Sequence, residues 1–416
     1  MSPNYPIRTI TLDEFDAFTA VPGHAFLDDW PAEDRELERP VIEFDRTIAA
    51  FDGTQMVGTA GAYTFRMTVP GGTADVAGVT LVSVLPSHRR RGILTDMMRY
   101  VIADAGRRDE AIAILYASES GIYGRFGFGL ATWHQRIRVR SGDGRLSIGT
   151  TAPASPQLCL RLANPSDVRS DLAKVFATVL PTRPGMLARS EAWWDLIVSD
   201  APTRRDGMSA LRCLLAEDAS GVRGYALYRT KGSWSDGLPD GELRLQELTA
   251  LDPAATAALW TDLFSRDLVS AVYAVHRPVD DPLLAMLADP RRALPLVGDA
   301  LWVRLMDVPA ALIQRKYASA IDVVLDVQDA FMPENAGRWR LTSGGLDGGG
   351  DTHCERTTAP ADLLISVHAL GAGYLGGASF GQLASAGHVS ELIPGALARL
   401  AAAMSWDQRP WCSMMF

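Results

Sequence analysis

The chain has 416 residues, 47% of them hydrophobic and 21% charged, with a formal net charge of −9. Apolar content on that scale supports real cores, enough for about three domains of roughly 150 residues each. The acidic balance excludes a broad nucleic-acid footprint, so any polyanion site must be local, and it suits cationic partners better.

In chain order, Met1-Ser-Pro-Asn-Tyr-Pro6 lacks the basic and then apolar pattern of a secretory signal, and no apolar run approaches the ~18 residues of a membrane helix. Ile7 to Ile10 predicts a short strand, and Leu12 to Phe18 has helical spacing with Thr11 as N-cap. A second helical piece is expected at Asp28-Asp-Trp-Pro-Ala-Glu33. Its acidic and aromatic mix reads either as the lining of a pocket for a cation or as a solvated helix anchored by Trp30. Strands are predicted over 47–51, 57–65 and 76–84, separated by Asp52-Gly53 and Pro70-Gly-Gly72.

The last of these strands leads into the most informative stretch. Val79 to Leu85 is a β-branched apolar run, Pro86 and Ser87 break it, and from Gly92 the residues Ile93, Leu94, Met97, Met98, Val101 and Ile102 recur at helical spacing. A strand therefore feeds a helix through the basic turn Arg89, Arg90, Arg91. The first N–H groups of a helix lack internal partners and carry partial positive charge, and a glycine lets backbone and ligand approach closely, so the turn predicts a pyrophosphate cradle. Neither a Walker A loop nor a G-x-G-x-x-G turn is present there. Ala111 to Ser118 then reads as a strand buried on both faces, Ser118 to Gly129 as a glycine-punctuated helix and loop, and Thr132 to Arg140 as the strand that closes the domain.

Residues 141–156 read as a linker, which puts domain boundaries at 1–150, 151–298 and 299–416. The second domain predicts helices at 168–180 and 189–198 and strands at 212–216, 224–229 and 243–250. Residues 248–264 can be laid on 81–97 as a second strand, turn and helix, each helix carrying Thr-Asp. On that register Ala255, Thr256 and Ala257 face Arg89, Arg90 and Arg91, so the copy lacks the phosphate-binding charges.

The third domain is predicted to begin with Leu301 to Leu312, strand then helix, followed by strands at 321–327, 337–342 and 363–367. Gly371-Ala-Gly-Tyr-Leu-Gly376 fits a dinucleotide-binding turn and Gly377-Ala-Ser-Phe-Gly381 a nucleophile elbow. Surplus glycines spoil the helix the first requires, and the strand ends too early for the second. Cys159, Cys213, Cys354 and Cys412 show no C-x-x-C spacing, so neither a zinc site nor a disulfide framework is expected, and a reduced, cytoplasmic setting is the default.

Arg89-Arg-Arg-Gly-Ile-Leu94 resembles motif A, R/Q-x-x-G-x-G/A, of the GNAT acetyltransferases, and Tyr123-Gly-Arg-Phe-Gly-Phe128 resembles their Y-x-x-x-G-F element. With Gly224 to Arg229, Leu301 to Leu312 and Tyr374-Leu-Gly-Gly377, these blocks resemble the Eis (enhanced intracellular survival) acetyltransferases over nearly the whole chain. The resemblance implies an α/β chain of tandem GNAT folds, the second degenerate, followed by a sterol-carrier-protein-like domain, assembled as a cytoplasmic homohexamer. It implies acetyl-CoA as cosubstrate, no metal, no nucleic acid and no membrane. Val82, Ser83 and Val84 would hold pantetheine and the acetyl carbonyl; Arg89, Arg90, Arg91, Gly92, Ile93, Leu94 and Thr95 the pyrophosphate; Ser118 and Glu119 would flank the cofactor.

By the same resemblance Tyr123 would be the general acid and the terminal carboxylate of Phe416 the general base. Trp411-Cys-Ser-Met-Met-Phe416 is apolar enough to dock rather than fray. Met415 departs from the acidic residue common just before the terminal Phe. Asp28, Trp30, Leu81 and Asp289 are the expected substrate contacts, for an aminoglycoside-like polyamine or a lysine amine. A non-catalytic CoA-binding or scaffold protein is the alternative reading, and a longer acyl donor stays open.

Overall fold

The computed structural model describes residues 5–147, 158–346, 348 and 351–416; the expected linker and the extreme N-terminus lie partly outside them. The chain forms two compact units, one of residues 1–132, 184–187 and 300–416, the other of 133–183 and 188–299.

In the first unit β1 (Ile7–Thr9) pairs with β2 (Ile48–Asp52), and β2 with the long hairpin of β3 (Gln55–Val69) and β4 (Gly72–Val84). Helices α1 (Phe15–Phe26) and α2 (Ala32–Glu38) lie between β1 and β2. Asp28, Asp29 and Trp30 occupy their connection rather than the expected helix. Leu27, left-handed at φ 60°, ends α1, and Pro31 caps α2. Helix α3 (Ile93–Arg107) buries Ile93, Met97, Met98, Val101, Ile102 and Ala105, the stripe read from the sequence. It lies so near β3 that a Cβ on Gly58 would sit 2.9 Å from Ile93. Strand β5 (Ile112–Tyr116), a 3-10 turn at Tyr123–Phe126 and β6 (Gly129–Leu130) follow.

The second unit contains β7 (Trp133–Arg140), β8 (Cys159–Ala163), α4 (Arg169–Val179), α5 (Glu191–Val198), β9 (Arg212–Asp218) and β10 (Gly221–Lys231). A small hairpin of β11 (Trp234–Ser235) and β12 (Leu238–Pro239) precedes β13 (Gly241–Ala250), α6 (Pro253–Phe264), β14 (Val269–Pro278), α7 (Pro282–Met286) and β15 (Leu296–Asp299). Its sheet runs β15-β7-β14-β13-β10-β9-β8, and Leu259, Trp260 and Leu263 of α6 join the core on one face.

The first unit resumes with β16 (Leu301–Leu305), which enters its sheet between β5 and β6 and completes the order β1-β2-β3-β4-β5-β16-β6. Then come α8 (Val308–Ile313), β17 (Ile321–Gln328), β18 (Gly337–Ser343), β19 (His353–Arg356), β20 (Leu363–Ser366), α9 (Val367–Gly373), α10 (Phe380–Ser385), β21 (Val389–Glu391) and α11 (Ala396–Met404). These strands form a separate sheet, β19-β18-β17-β20-β21.

Two expectations are corrected. The strand at 132–140 does not close the first sheet, so the sheets divide at 132/133 rather than 150, and the strand at 301 belongs to the first sheet rather than opening a third domain. Burial explains both. The slot beside β5 takes a strand buried along its whole length, and all of Leu301 to Leu305 is buried. Strand β7 instead alternates, burying Gln135, Ile137 and Val139 while exposing Arg136, Arg138 and Arg140, which suits a sheet with one solvated face.

The glycine motifs of the last third serve packing. A Cβ on Gly371 would lie 2.1 Å from the Val303 carbonyl oxygen, and one on Gly129 would lie 2.0 Å from that of His368, because α9 rests directly on β16 and β6. Ser379 caps α10 by accepting the Gln382 N–H at 3.3 Å, so it is no nucleophile. Gly371→Ala is expected to cost about 1–3 kcal/mol by overpacking, read as a lower midpoint of thermal unfolding. An unchanged midpoint would return these glycines to a ligand-binding role.

Candidate active site

Strand β4 is parallel to β5 only through Val76–Gly78 against Ile112–Ile114, after which the ladder stops. On its other edge the register with β3 slips: Thr59 faces Ser83 and Gly61 faces Thr80, leaving Leu81 and Val82 opposite Ala60 alone. Leu81 takes a left-handed φ of 53° at this bulge. Thr59 Oγ1 donates to the Leu81 carbonyl at 2.8 Å, which leaves Ser83 to donate to Thr59 across 2.6 Å. Bulge and lost ladder together leave Val82 to Val84 as strand backbone with an open edge, on which an extended amide chain can add.

At the far end of the strand the basic turn delivers α3. Gly92 has φ 88°, yet a Cβ there would meet nothing within 4 Å, so glycine is required for conformation and not for space. No side chain caps the helix, and its first internal bond is Asp96 N–H to Gly92 O at 3.1 Å. The N–H groups of Ile93, Leu94 and Thr95 therefore have no intrahelical partner and no side-chain cap among the described residues, the arrangement of a helix-start anion site.

One cleft of about 690 Å³ joins these parts. It is lined by Val82, Ser83 and Val84, by Arg89, Arg90, Gly92, Ile93, Leu94 and Thr95, and by Ser118, Glu119 and Tyr123. Of the expected cofactor residues Arg91 alone does not line it. Its guanidinium donates to the Tyr5 hydroxyl at 2.8 Å and to the Ser87 carbonyl at 3.0 Å, which braces the turn. Leu81, Asp28 and Trp30 are also outside the lining: Trp30 packs edge-on to Phe15, and its carbonyl accepts from Arg35 at 2.7 Å. Asp289 belongs to the second unit, where it accepts the Arg291 N–H at 3.1 Å and caps a 3-10 turn.

Sequence reasoning missed Phe26 and Leu27 at the end of α1, His88, Ile122 and Arg125, all of which line the cleft. Leu27 is 91% exposed, a signal readable only once the helix end is located. Arg125 sits inside the tyrosine motif and was hidden by it.

Tyr123 is buried, and its phenol faces the cleft without a protein partner among the described residues. Burial, reinforced by the Glu119 carboxylate, pushes it up to about 12. The turn carrying it is held from behind. Arg304 of β16, fully buried, donates to the Phe126 carbonyl and pairs with Asp329 at 2.7 Å. The His368 ring lies 2.7 Å from the Phe128 carbonyl.

The chain end is also docked. Trp411 N–H donates to the Pro184 carbonyl at 2.9 Å, and Cys412 and Met414 are buried. The Phe416 ring sits 5.0 Å from Phe65, 5.5 Å from Tyr116 and 6.4 Å from Tyr63. A Cβ on Gly78 would approach it to 3.2 Å, so it packs where β4 and β5 part.

The second unit has the same strand and helix without the site. Only Leu251 separates β13 from the cap of α6, whereas residues 85–91 separate β4 from Gly92. This corrects the expected register: the arginines are lost because their loop is absent, not because alanines replace them. Asp252 accepts the Ala255 N–H at 2.9 Å and binds Arg223 at 2.8 Å, while Pro253 removes a further N–H. That helix start holds its own anion.

A parallel pair opened beside an uncapped helix start is the arrangement by which a GNAT acetyltransferase accepts an acyl-CoA. Residues 6–131 and 185–305 each match an acetyltransferase (GNAT) domain family, and 308–413 a sterol carrier protein domain. An uncharacterized N-acetyltransferase of Streptomyces avermitilis is 47% identical over 91% of both chains. N-acetyltransferase Eis of Mycobacterium tuberculosis is 32% identical over 95% of this chain and 96% of its own. The crystal structure of Eis1 from Mycobacterium abscessus superposes with a TM-score of 0.82 at 31% identity, covering 99% of this chain and 100% of that one. The chain belongs to the Eis family of N-acetyltransferases.

The geometry separates the three arginines. Arg89→Gln/Arg90→Gln is expected to raise KM for acetyl-CoA about tenfold or more with kcat little changed, the loss of at least one charge-assisted phosphate contact. Arg91→Gln should leave that KM near the parent value in the same steady-state assay.

Proposed function

We propose that this N-acetyltransferase moves the acetyl group of acetyl-CoA directly to a cationic amine in a ternary complex, with Tyr123 assisting the leaving thiolate and the Phe416 carboxylate accepting the amine proton. The observation that carries this reading is the placement of the Tyr123 phenol in the cleft that holds the uncapped start of α3.

Pantetheine lies along Val82 to Val84, and the N–H groups of Ile93 to Thr95 with Arg89 and Arg90 take the pyrophosphate. The amine must lose a proton before or during attack, since an alkyl ammonium titrates near ~10. An unperturbed α-carboxyl titrates near ~3.5, so the terminal carboxylate works only if its apolar surroundings raise it or a water relays the proton. For the thiolate, of pKa ~8.5 if it resembles cysteine, a complete proton transfer from a phenol at about 12 is uphill by about 5 kcal/mol. Tyr123 therefore acts chiefly as a hydrogen-bond donor to sulfur as charge develops, with the proton following as the thiolate leaves.

The acceptor is an aminoglycoside-like polyamine or a lysine ε-amine, drawn by an acidic chain and by Glu119 at the cleft wall. By the family resemblance the enzyme works as a cytoplasmic homohexamer.

Thiol release from acetyl-CoA with a panel of amines tests the reaction; no release with any amine, together with no CoA binding, would end this reading. Residues appended after Phe416 displace the carboxylate, so turnover should fall at least about tenfold, the scale of one general-base contribution; unchanged turnover removes the terminus from the mechanism. A raised Tyr123 pKa keeps the phenol protonated until pH rises through about 12. The rate should thus climb as the amine deprotonates, with no Tyr123-dependent descending limb below about pH 11. A limb near 8 to 9 that Tyr123→Phe abolishes would contradict this assignment.

A further inference from the structure

The second unit, stripped of its cofactor loop, carries a different concentration of positive charge. On β7 the exposed residues Arg136, Arg138 and Arg140 follow at period two. Arg138 is paired across the sheet with Tyr273 of β14, Tyr273 with Arg244 of β13, and Arg244 with Arg229 of β10. Laterally paired residues share a face, so one row across four strands reads Arg, Tyr, Arg, Arg. Like charges directly opposite each other, as Arg244 and Arg229 are, disfavour a sheet; Arg229 is offset by Asp200, whereas Arg138 stands at the other end of the row.

The row floors a cavity of about 640 Å³, within the size range of small-ligand pockets. Six arginines line it: Arg136, Arg138, Arg204, Arg205, Arg229 and Arg244. Carboxylates offset two of the sheet arginines and Arg205. Asp200 is shared by Arg205, at 2.7 Å, and Arg229; Asp206 and Glu242 reach Arg244 only at 3.5 and 3.4 Å. The Arg138 guanidinium stands 5.3 Å over the Tyr273 ring. In a chain of net charge −9 this local excess is not a reflection of composition.

We propose that this cavity binds a small phosphate-bearing ligand with at least two phosphate groups, held by Arg138 and Arg244 on either side of Tyr273. Guanidinium forks match phosphate oxygens in pairs, and the rigid sheet fixes their spacing before the ligand arrives. The site is separate from the acetyl-CoA cleft, whose lining lies wholly in the first unit, and the inference does not depend on the catalytic roles given to Tyr123 and Phe416.

Tripolyphosphate is the probe, titrated calorimetrically into the full chain. The parent protein should show two binding events, one at each arginine site. Arg138→Gln/Arg244→Gln should weaken one event at least tenfold and leave acetyl transfer intact, whereas Arg89→Gln/Arg90→Gln should weaken the other. Asp206→Asn, which removes an opposing charge, should tighten the first. Two outcomes overturn the proposal: an isotherm unchanged in Arg138→Gln/Arg244→Gln, or a single event that disappears with Arg89→Gln/Arg90→Gln. A parent with one event, whose assembly mass falls in Arg138→Gln/Arg244→Gln, overturns it in favour of a contact between copies.

Discussion

The first unit is built from chain segments far apart in sequence, and Arg304 is the charge that ties them. Its guanidinium is removed from water on β16, pairs with Asp329 at 2.7 Å, and donates to the carbonyl of Phe126. Asp329 is fixed in turn by the N–H groups of Phe331 and Met332, and Asn335 bridges Asp329 to the Leu305 carbonyl and the Val308 N–H. Burial pushes Arg304 down from its ordinary value against the pull of Asp329, which is the signature of a costly ion. Such a pair adds little net stability over apolar residues, but breaking it strands a charge worth about 3–5 kcal/mol. Its effect is therefore on geometry. Gly127, at φ 83°, has no side chain because a Cβ would fall on the guanidinium, and the turn bearing Tyr123 closes around that contact.

Two helix starts in the same chain show how a binding site trades against stability. Helix α6 satisfies its start with Asp252, Pro253 and the Arg223 ion pair, worth about 1 kcal/mol for the cap alone. Helix α3 forgoes the cap and tolerates Arg90 and Gly92 at positive φ, so that three N–H groups remain unpaired. Such N–H groups are left to water or to an arriving anion. Deleting the loop between strand and helix removes the site and the deficit together, which is why the second unit folds like the first without sharing its chemistry.

Local chemistry was legible where one segment contains its own reason. The strand, basic turn and helix at 79–102 could be read because alternation, breaker and helical stripe follow one another, and the structure places β4, the turn and α3 accordingly. Pairing between segments distant in sequence was not. Strand β7 reads as closing the first domain because it comes next, although its own alternation of buried Gln135, Ile137 and Val139 with exposed arginines argues for a sheet with one wet face. Arg91 looked equivalent to Arg90, and the direction of a side chain in an irregular turn depends on what it meets, here Tyr5. The glycines near 371 imitated a nucleotide loop because close packing of a helix on a strand demands the same residue as a tight turn does.

The position of Phe416 follows the same logic of distant constraint. A terminal carboxylate has few torsions between it and its own ring, so fixing the ring fixes the carboxylate more closely than a long acidic side chain would allow. Three aromatic rings from β3 and β5 hold that ring, and upstream the tail is pinned by the Trp411 bond to Pro184 and by Gly185, whose φ of 92° brings it against the Trp411 backbone. Phe416 reaches this position only when the last third of the chain has folded onto the first sheet. On the roles proposed for Tyr123 and Phe416, catalytic competence is coupled to the completion of the whole first unit, with Arg304 holding the turn that bears Tyr123 and three aromatic rings holding Phe416.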